Sequence, residues 1–272
     1  MLDFLEAAMN DMDCVVGATA LIAEFLSFRW NTIDLNKNLA IEMAKMIVRR
    51  NGIQLLLRAN HQYAVGHETS SATKHIWIAL GRTINGEETR GDVDKKQKLS
   101  ILNDATDCIV RLEEVGSQDD NAWTADVLQV VLYAMANTIK DTSVVKEDLK
   151  RMDIVPIFLR VLKRDADWNR NVDVVIYTLG ILTICSKQTT LVRKKEFEQL
   201  LPMLMHCMAH FRENSQIRFF VLSLLESACD KVHKKTMEKA GALEAISALI
   251  KPDGLSEEIK EKARAIMRKI LN

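Results

Sequence analysis

The feature that most constrains this chain is its last 41 residues, Val232 to Asn272, which read as one complete unit of three short amphipathic helices. V-H-K-K-T-M-E-K-A forms a short helix that ends at Gly241. The next piece, opening G-A-L-E-A-I-S-A-L-I, sets Leu243, Ile246, Leu249 and Ile250 on one face, and the last sets Ile259, Ala263, Ile266 and Ile270 on one face. Helices this short cannot bury such faces alone. They require copies of themselves stacked alongside.

Copies should recur at a near-constant period, and they do. Second-helix starts fall at Asn51, near Asp107, then at Asp153, Gln199 and Gly241, giving intervals of 56, 46, 46 and 42. Small-residue steps in the third helices fall at Ala20, Ala79, Ala134, Thr178, Ser223 and Ala265, with intervals of 59, 55, 44, 45 and 42. Both series settle near the period of a helical solenoid, roughly 40–47 residues. The glycine and proline content agrees, because 10 Gly and 3 Pro leave little material for hairpins and favour an all-helical chain.

In chain order, helix is expected at Asp3–Asn10 and Asp13–Phe28, a partial unit (residues 1–30) without a first short helix and with a capping role. Units of about 36–85, 86–140, 143–187, 190–231 and 232–272 follow in a single domain spanning 1–272. Within them, Leu39–Arg50, Ile53–His61 and Ser70–Ile84 read as helices. The polar stretch Asn85–Lys98 reads as an exposed, mobile loop, and Leu99–Val115 as two helices. Turns are expected at Gly116–Asn121 and in R-D-A-D-W-N-R-N, and Ser143 caps a short helix to Met152. Proline opens both later second helices, at Pro156 and Pro202, in a first turn where the missing N–H costs nothing.

The segments G-A-L-E-A-I-S-A-L-I, D-I-V-P-I-F-L-R-V-L from Asp153 and Y-A-M-A-N-T-I from Tyr133 resemble the second- and third-helix patterns of the armadillo repeat family. HEAT repeats are the near neighbour, and the short extra helices favour armadillo. The resemblance implies a right-handed α-solenoid of about five full three-helix repeats after the partial one. It also implies a concave face lined by the third helices that binds an extended peptide or protein. That family places Trp or a large residue before the Ala-Leu step, and Asn three residues after the Ala. Here the first position holds Thr19, Ile78, Tyr133, Tyr177, Leu222 and Arg264, and the second holds Ala23, Arg82, Asn137, Ile181, Glu226 and Arg268, so Asn137 keeps the family residue. Lys74, Arg82, Gln129, Tyr133, Asn137, Tyr177, Arg218 and Glu226 are the candidate partner-binding residues.

Chemistry is scarce in the sequence. No phosphate-loop, dinucleotide, zinc-protease or nucleophile-elbow motif occurs, and no enzyme activity or cofactor is expected. His206 and His210 stand four apart on one helix face, a pair that lacks an evident third metal ligand, and no metal is expected. The five cysteines are odd in number, widely spaced and set in apolar helices, a reduced usage that points to the cytoplasm or the nucleus. Balanced charge, 37 basic against 37 acidic residues, argues against nucleic acid, and no apolar run predicts membrane insertion. Charge is uneven along the chain, with five acids against one Arg in residues 1–30 and ten Lys/Arg against six acids in residues 231–272. The expected function is a non-catalytic scaffold or adaptor that holds a protein partner. The alternative is a regulatory armadillo module acting as an exchange factor or chaperone-associated regulator. Oligomeric state is left open.

Overall fold

The computed structural model describes residues 1–27, 34–63, 65–116, 122–140, 146–164, 171–188, 194–211, 213–229, 234–250 and 256–271. Among them the regular elements are all helices. The expected turns at 117–121 and 165–170, the Ser143 cap and the side chains of Leu249 and Ile250 lie outside the described residues. The chain packs as two compact units, Met1–Asp148 and Leu149–Asn272.

Unit 1 contains α1 (Leu2–Ala7), α2 (Met12–Ser27), α3 (Asp34–Arg49), α4 (Gly52–Gln62), α5 (Ser70–Ile84), α6 (Glu87–Arg90), α7 (Lys95–Gly116) and α8 (Ala122–Ile139). The junction falls within α9 (Lys146–Arg151). Unit 2 continues with α10 (Ile154–Arg164), α11 (Val172–Gln188), α12 (Lys194–His210), α13 (Ser215–Ser227), α14 (Lys234–Lys239), α15 (Ala242–Ile250) and α16 (Glu257–Leu271).

Packing follows the order of equivalent helices. In unit 1, α2 lies against α5 and α5 against α8, while α1 meets α4, α4 meets α7, and α3 meets α6. In unit 2, α11 meets α13 and α13 meets α16, while α10 meets α12 and α12 meets α15. Neighbours of this kind run parallel. Lys74 on α5 reaches Asp126 on α8, and seven residues further on Gly81 abuts Tyr133. Phe219 and Glu226 on α13 meet Lys262 and Lys269 on α16, again a step of seven on both helices. Buried aliphatics fill the layers, among them Leu56, Ile76, Leu80 and Leu132 in unit 1 and Leu182, Leu204, Leu225 and Ile266 in unit 2. Each such side chain contributes about 1.5–3 kcal/mol relative to exposure.

Three second helices share one corner. Asn51, Asp153 and Gly241 each immediately precede a helix, α4, α10 and α15, and with φ of 56°, 46° and 73° they are the only positive-φ residues among those described. This left-handed conformation costs an ordinary L-residue about 1–2 kcal/mol and is tolerated by Gly, Asn and Asp. The sequence therefore places those three residue types where the backbone demands them.

Several expectations are corrected. The stretch 85–98 is not a loose loop. It contains α6, and Thr89 is fully buried with its hydroxyl donating to the Thr83 carbonyl at 2.8 Å. Its end is a capping box, with the Gln97 amide donating to Asp94 Oδ1 at 2.8 Å and the Asp94 amide to Gln97 Oε1 at 3.1 Å. Leu99–Val115 belongs to the single helix α7, whose start at Lys95 moves the second-helix start from Asp107 to Asp94. In unit 2, α12 begins at Lys194 and runs unbroken through Pro202, so this proline sits in the helix interior and removes the N–H that would reach the Glu198 carbonyl. Phe4 on α1, Leu21 and Phe25 on α2, and Leu39 and Met46 on α3 are exposed.

The shared corner yields a test. Gly241→Ala meets only Glu244 Oε2, at 3.6 Å, so its cost is conformational. It is expected to lower stability by about 1–2 kcal/mol, whereas Asp153→Gly is tolerated. Thermal and denaturant unfolding of the two variants measure the difference.

Candidate functional site

The candidate residues separate into two patches, one on each unit. In unit 1, α5 presents Lys74 and Arg82 and α8 presents Gln129 and Tyr133, all half-exposed. Lys74 Nζ donates to Asp126 Oδ2 at 2.8 Å across the two helices, and Arg82 Nη1 donates to the Ala23 carbonyl of α2. The Tyr133 ring lies where α5 has no side chain, since a Cβ on Gly81 would stand 2.6 Å from Tyr133 Cδ1. Glycine there is what lets α8 close on α5.

Asn137 is not on that surface. It is 1% exposed, its Oδ1 accepts from Lys140 Nζ at 2.8 Å, and its Nδ2 is buried without a partner. Alternation on the helix gives the outward place to Ala136, and Lys140 continues that stripe. Burial, helped by the nearby Arg90 charge, holds the Lys140 amine below the usual lysine range. Trp77, one position from the expected ladder, is fully buried with Nε1 donating to Asn60 Oδ1 at 3.0 Å. Of the other ladder positions, Thr19, Ala23, Ile181 and Leu222 also face inward.

In unit 2, Tyr177 on α11 is half-exposed, Arg218 on α13 is only 8% exposed, and Glu226 on α13 is half-exposed. Glu226 takes Lys262 Nζ at 2.7 Å and Lys269 Nζ at 3.5 Å. Lys262 also sits 5.2 Å from the centre of the Phe219 ring. The hydrogen bond from Lys262 holds the Glu226 carboxyl below its ordinary range, against the opposing effect of partial burial; the charges of Lys262 and Lys269 add to it.

Asp126, Phe219, Lys262 and Lys269 were missed in the sequence. A signal for Asp126 exists, since it stands three residues before Gln129 and seven before Tyr133, on the same helical stripe. Lys262 and Lys269 show the same seven-residue step, but only the α13–α16 pairing gives it meaning.

Other clusters offer less. The rings of His206 and His210 stack at 5.6 Å on an exposed face, and among the described residues no trio of His, Cys, Asp or Glu could hold a metal. A shallow cavity of about 380 Å³ opens between α1 and α4, but its two arginines are matched, Arg50 to Asp3 at 2.8 Å and Arg58 to Glu6 at 3.0 Å. No described helix is long and apolar enough to cross a membrane.

No protein-family model matches the chain, and no curated protein matches it either. Function therefore has to be argued from the two patches themselves.

Two measurements follow. Burial pushes the thiols of Cys108, Cys185 and Cys207 up to about 12, so a thiol reagent at neutral pH is expected to label the partly exposed Cys14 and Cys229 first. Mass spectrometry of the labelled native protein reads the order. Glu226, with its folded-state pKa depressed, stabilises the fold above its unfolded value, and that contribution disappears as pH falls through the lower folded value. Lys262→Met is expected to move the Glu226 titration upward, as followed by carboxyl NMR, and to flatten the loss of stability on acidification.

Proposed function

We propose that this chain is a non-catalytic protein-interaction module of the armadillo type, a right-handed α-solenoid whose third helices carry the partner-binding surface. The observation that carries the reading is the half-exposed stripe on the parallel pair α5 and α8. Lys74, Arg82, Gln129 and Tyr133 share that surface, and the backbone beneath it is fixed by burial and by the Gly81 contact. A stripe with one aromatic ring, the cations Lys74 and Arg82 and the Asp126 carboxylate paired to Lys74 is what an extended or helical partner docks against. Support for the repeat class comes from the left-handed corner before α4, α10 and α15, and from short helices α6, α9 and α14 before α7, α10 and α15. In unit 2, Tyr177 and Glu226 form the corresponding surface on α11 and α13.

Affinity capture followed by crosslink mapping tests this. Lys74→Glu with Gln129→Arg alters the stripe without touching a buried side chain. The wild type is expected to retain a partner that crosslinks to α5 or α8 and that this double variant releases at least about tenfold more readily. A variant of the exposed Arg160 on α10, a second helix, should leave binding unchanged. Crosslinks that map away from both stripes, with capture unaffected by the double variant, would sink the proposal.

A further inference from the structure

One face of α2 stands open to solvent. Cys14, Gly17, Leu21, Glu24 and Phe25, three and four residues apart, share it, with Asp13 at its edge. Leu21 is 54% exposed and Phe25 39%, on a helix whose other side, Val15, Ala18, Ile22 and Leu26, is closed in the core. A lone exposed leucine is ordinary. This one is not, because the matching positions of later helices are core. Stepping from Leu21 by the intervals that relate the small-residue steps, 59, 55, 44, 45 and 42, reaches Leu80, Met135, Leu179, Leu224 and Ile266, each at most 2% exposed. The same steps from Phe25 reach Ile84, Ile139, Thr183, Ala228 and Ile270, each at most 8% exposed. Length explains the difference. The helix packed on α2 is α1, with six residues against 16, whereas α4, packed on α5, has 11 against 15. A helix apolar on both sides is suited to being covered on both.

Three properties of the face define what fits it. It is a strip along one helix, and the complement of such a strip is a second helix with apolar anchors three and four residues apart. Gly17 leaves room in it. A Cβ on Gly17 would meet nothing within 4 Å, while at Gly81, a glycine that is already covered, the Tyr133 ring occupies that space. Charge is the third property, since residues 1–27 hold five acids and no Lys, Arg or His. Asp3 and Glu6 are answered by Arg50 and Arg58, and Asp11 Oδ1 accepts from the Cys14 amide at 3.1 Å. Asp13 and Glu24, both exposed, make no ion pair among the described residues. Pairing α2 with α2 of a second copy would crowd these carboxylates on an apolar strip, and they also oppose an anionic membrane surface.

We propose that this face of α2 docks a basic amphipathic helix of a partner protein. A bulky side chain of that helix seats over Gly17, apolar residues cover Leu21 and Phe25, and flanking Lys or Arg reach Asp13 and Glu24. The surface is separate from the α5–α8 stripe and does not depend on it.

The test uses the whole chain and three labelled synthetic helices of about five turns. The first carries a leucine stripe, one central Trp and Lys on both flanks; the second has Glu for every Lys; the third has Ala for the Trp. The Lys peptide is expected to bind saturably by fluorescence anisotropy and to slow thiol labelling of Cys14, which lies on the face, but not of Cys229. The Glu and Ala peptides are expected to bind at least about tenfold more weakly.

Gly17→Gln separates docking from folding. It adds a good helix former in open space, so its melting is expected to match or exceed that of wild type, while the filled gap weakens the Lys peptide about tenfold. Leu21→Ser with Phe25→Ser should abolish binding, and Lys74→Glu with Gln129→Arg should leave it intact. The proposal is overturned if the Lys peptide does not saturate or leaves Cys14 unprotected, or if its binding survives both Gly17→Gln and the double serine variant. It is overturned equally if Lys74→Glu with Gln129→Arg releases the peptide, which places it on α5 and α8. Self-association of the chain alone in sedimentation, abolished by the double serine variant, would assign the face to a second copy instead.

Discussion

A helix too short to bury its own apolar face must lie against a neighbouring helix, and both units are built on that requirement. It explains why equivalent helices run parallel, α5 beside α8 and α13 beside α16, although parallel dipoles repel. Burial outweighs the repulsion because small residues let the helices approach. At the α5–α8 contact Gly81 and Ala134 do this, and the Tyr133 ring occupies the space that a Cβ would take. The half-exposed side chains on that pair inherit their spacing from the layer below.

Charge at the two ends of the chain is put to internal use. Asp3 and Glu6 pair with Arg50 and Arg58, and Glu226 gathers Lys262 and Lys269. The exposed pairs at Arg50 and Arg58 are worth little in free energy, typically about 0.2–1 kcal/mol each. The effect of all these pairs is on alignment, since they tie α1 to the α3–α4 corner and to α4, and α13 to α16. The acidic excess of residues 1–30 and the basic excess of residues 231–272 are thereby smaller than a count of residues suggests.

Much of the helix order was legible because it follows from local rules. Ser70–Ile84 was read to the residue, and the starts at Asn51, Asp153 and Gly241 are the three left-handed corners. The failures came where local and tertiary signals part. Residues 85–98 look solvated by composition, yet Thr89, Gln97 and Lys98 are buried, Thr89 donating to the Thr83 carbonyl of α5 and the Gln97 side chain accepting from the Asp94 amide. Pro202 resembled Pro156 in its sequence context, but four added residues at the start of α12 put it mid-helix. In the candidate site, the spacing that marks Tyr133 as outward also marks Asn137, four residues on. A straight helix drifts at that step, and Asn137 falls on the buried side.

The facing pairs have one further consequence. Arg82 meets Ala23 across 59 residues of chain, Lys74 meets Asp126 across 52, and Lys262 meets Glu226 across 36. The chain between facing partners thus runs from 36 to 59 residues while helix still seats on helix, because the connections and the helices outside the facing pair differ in length. Such a molecule tolerates gain or loss of residues in its connections, and resists change of a single atom along the seams.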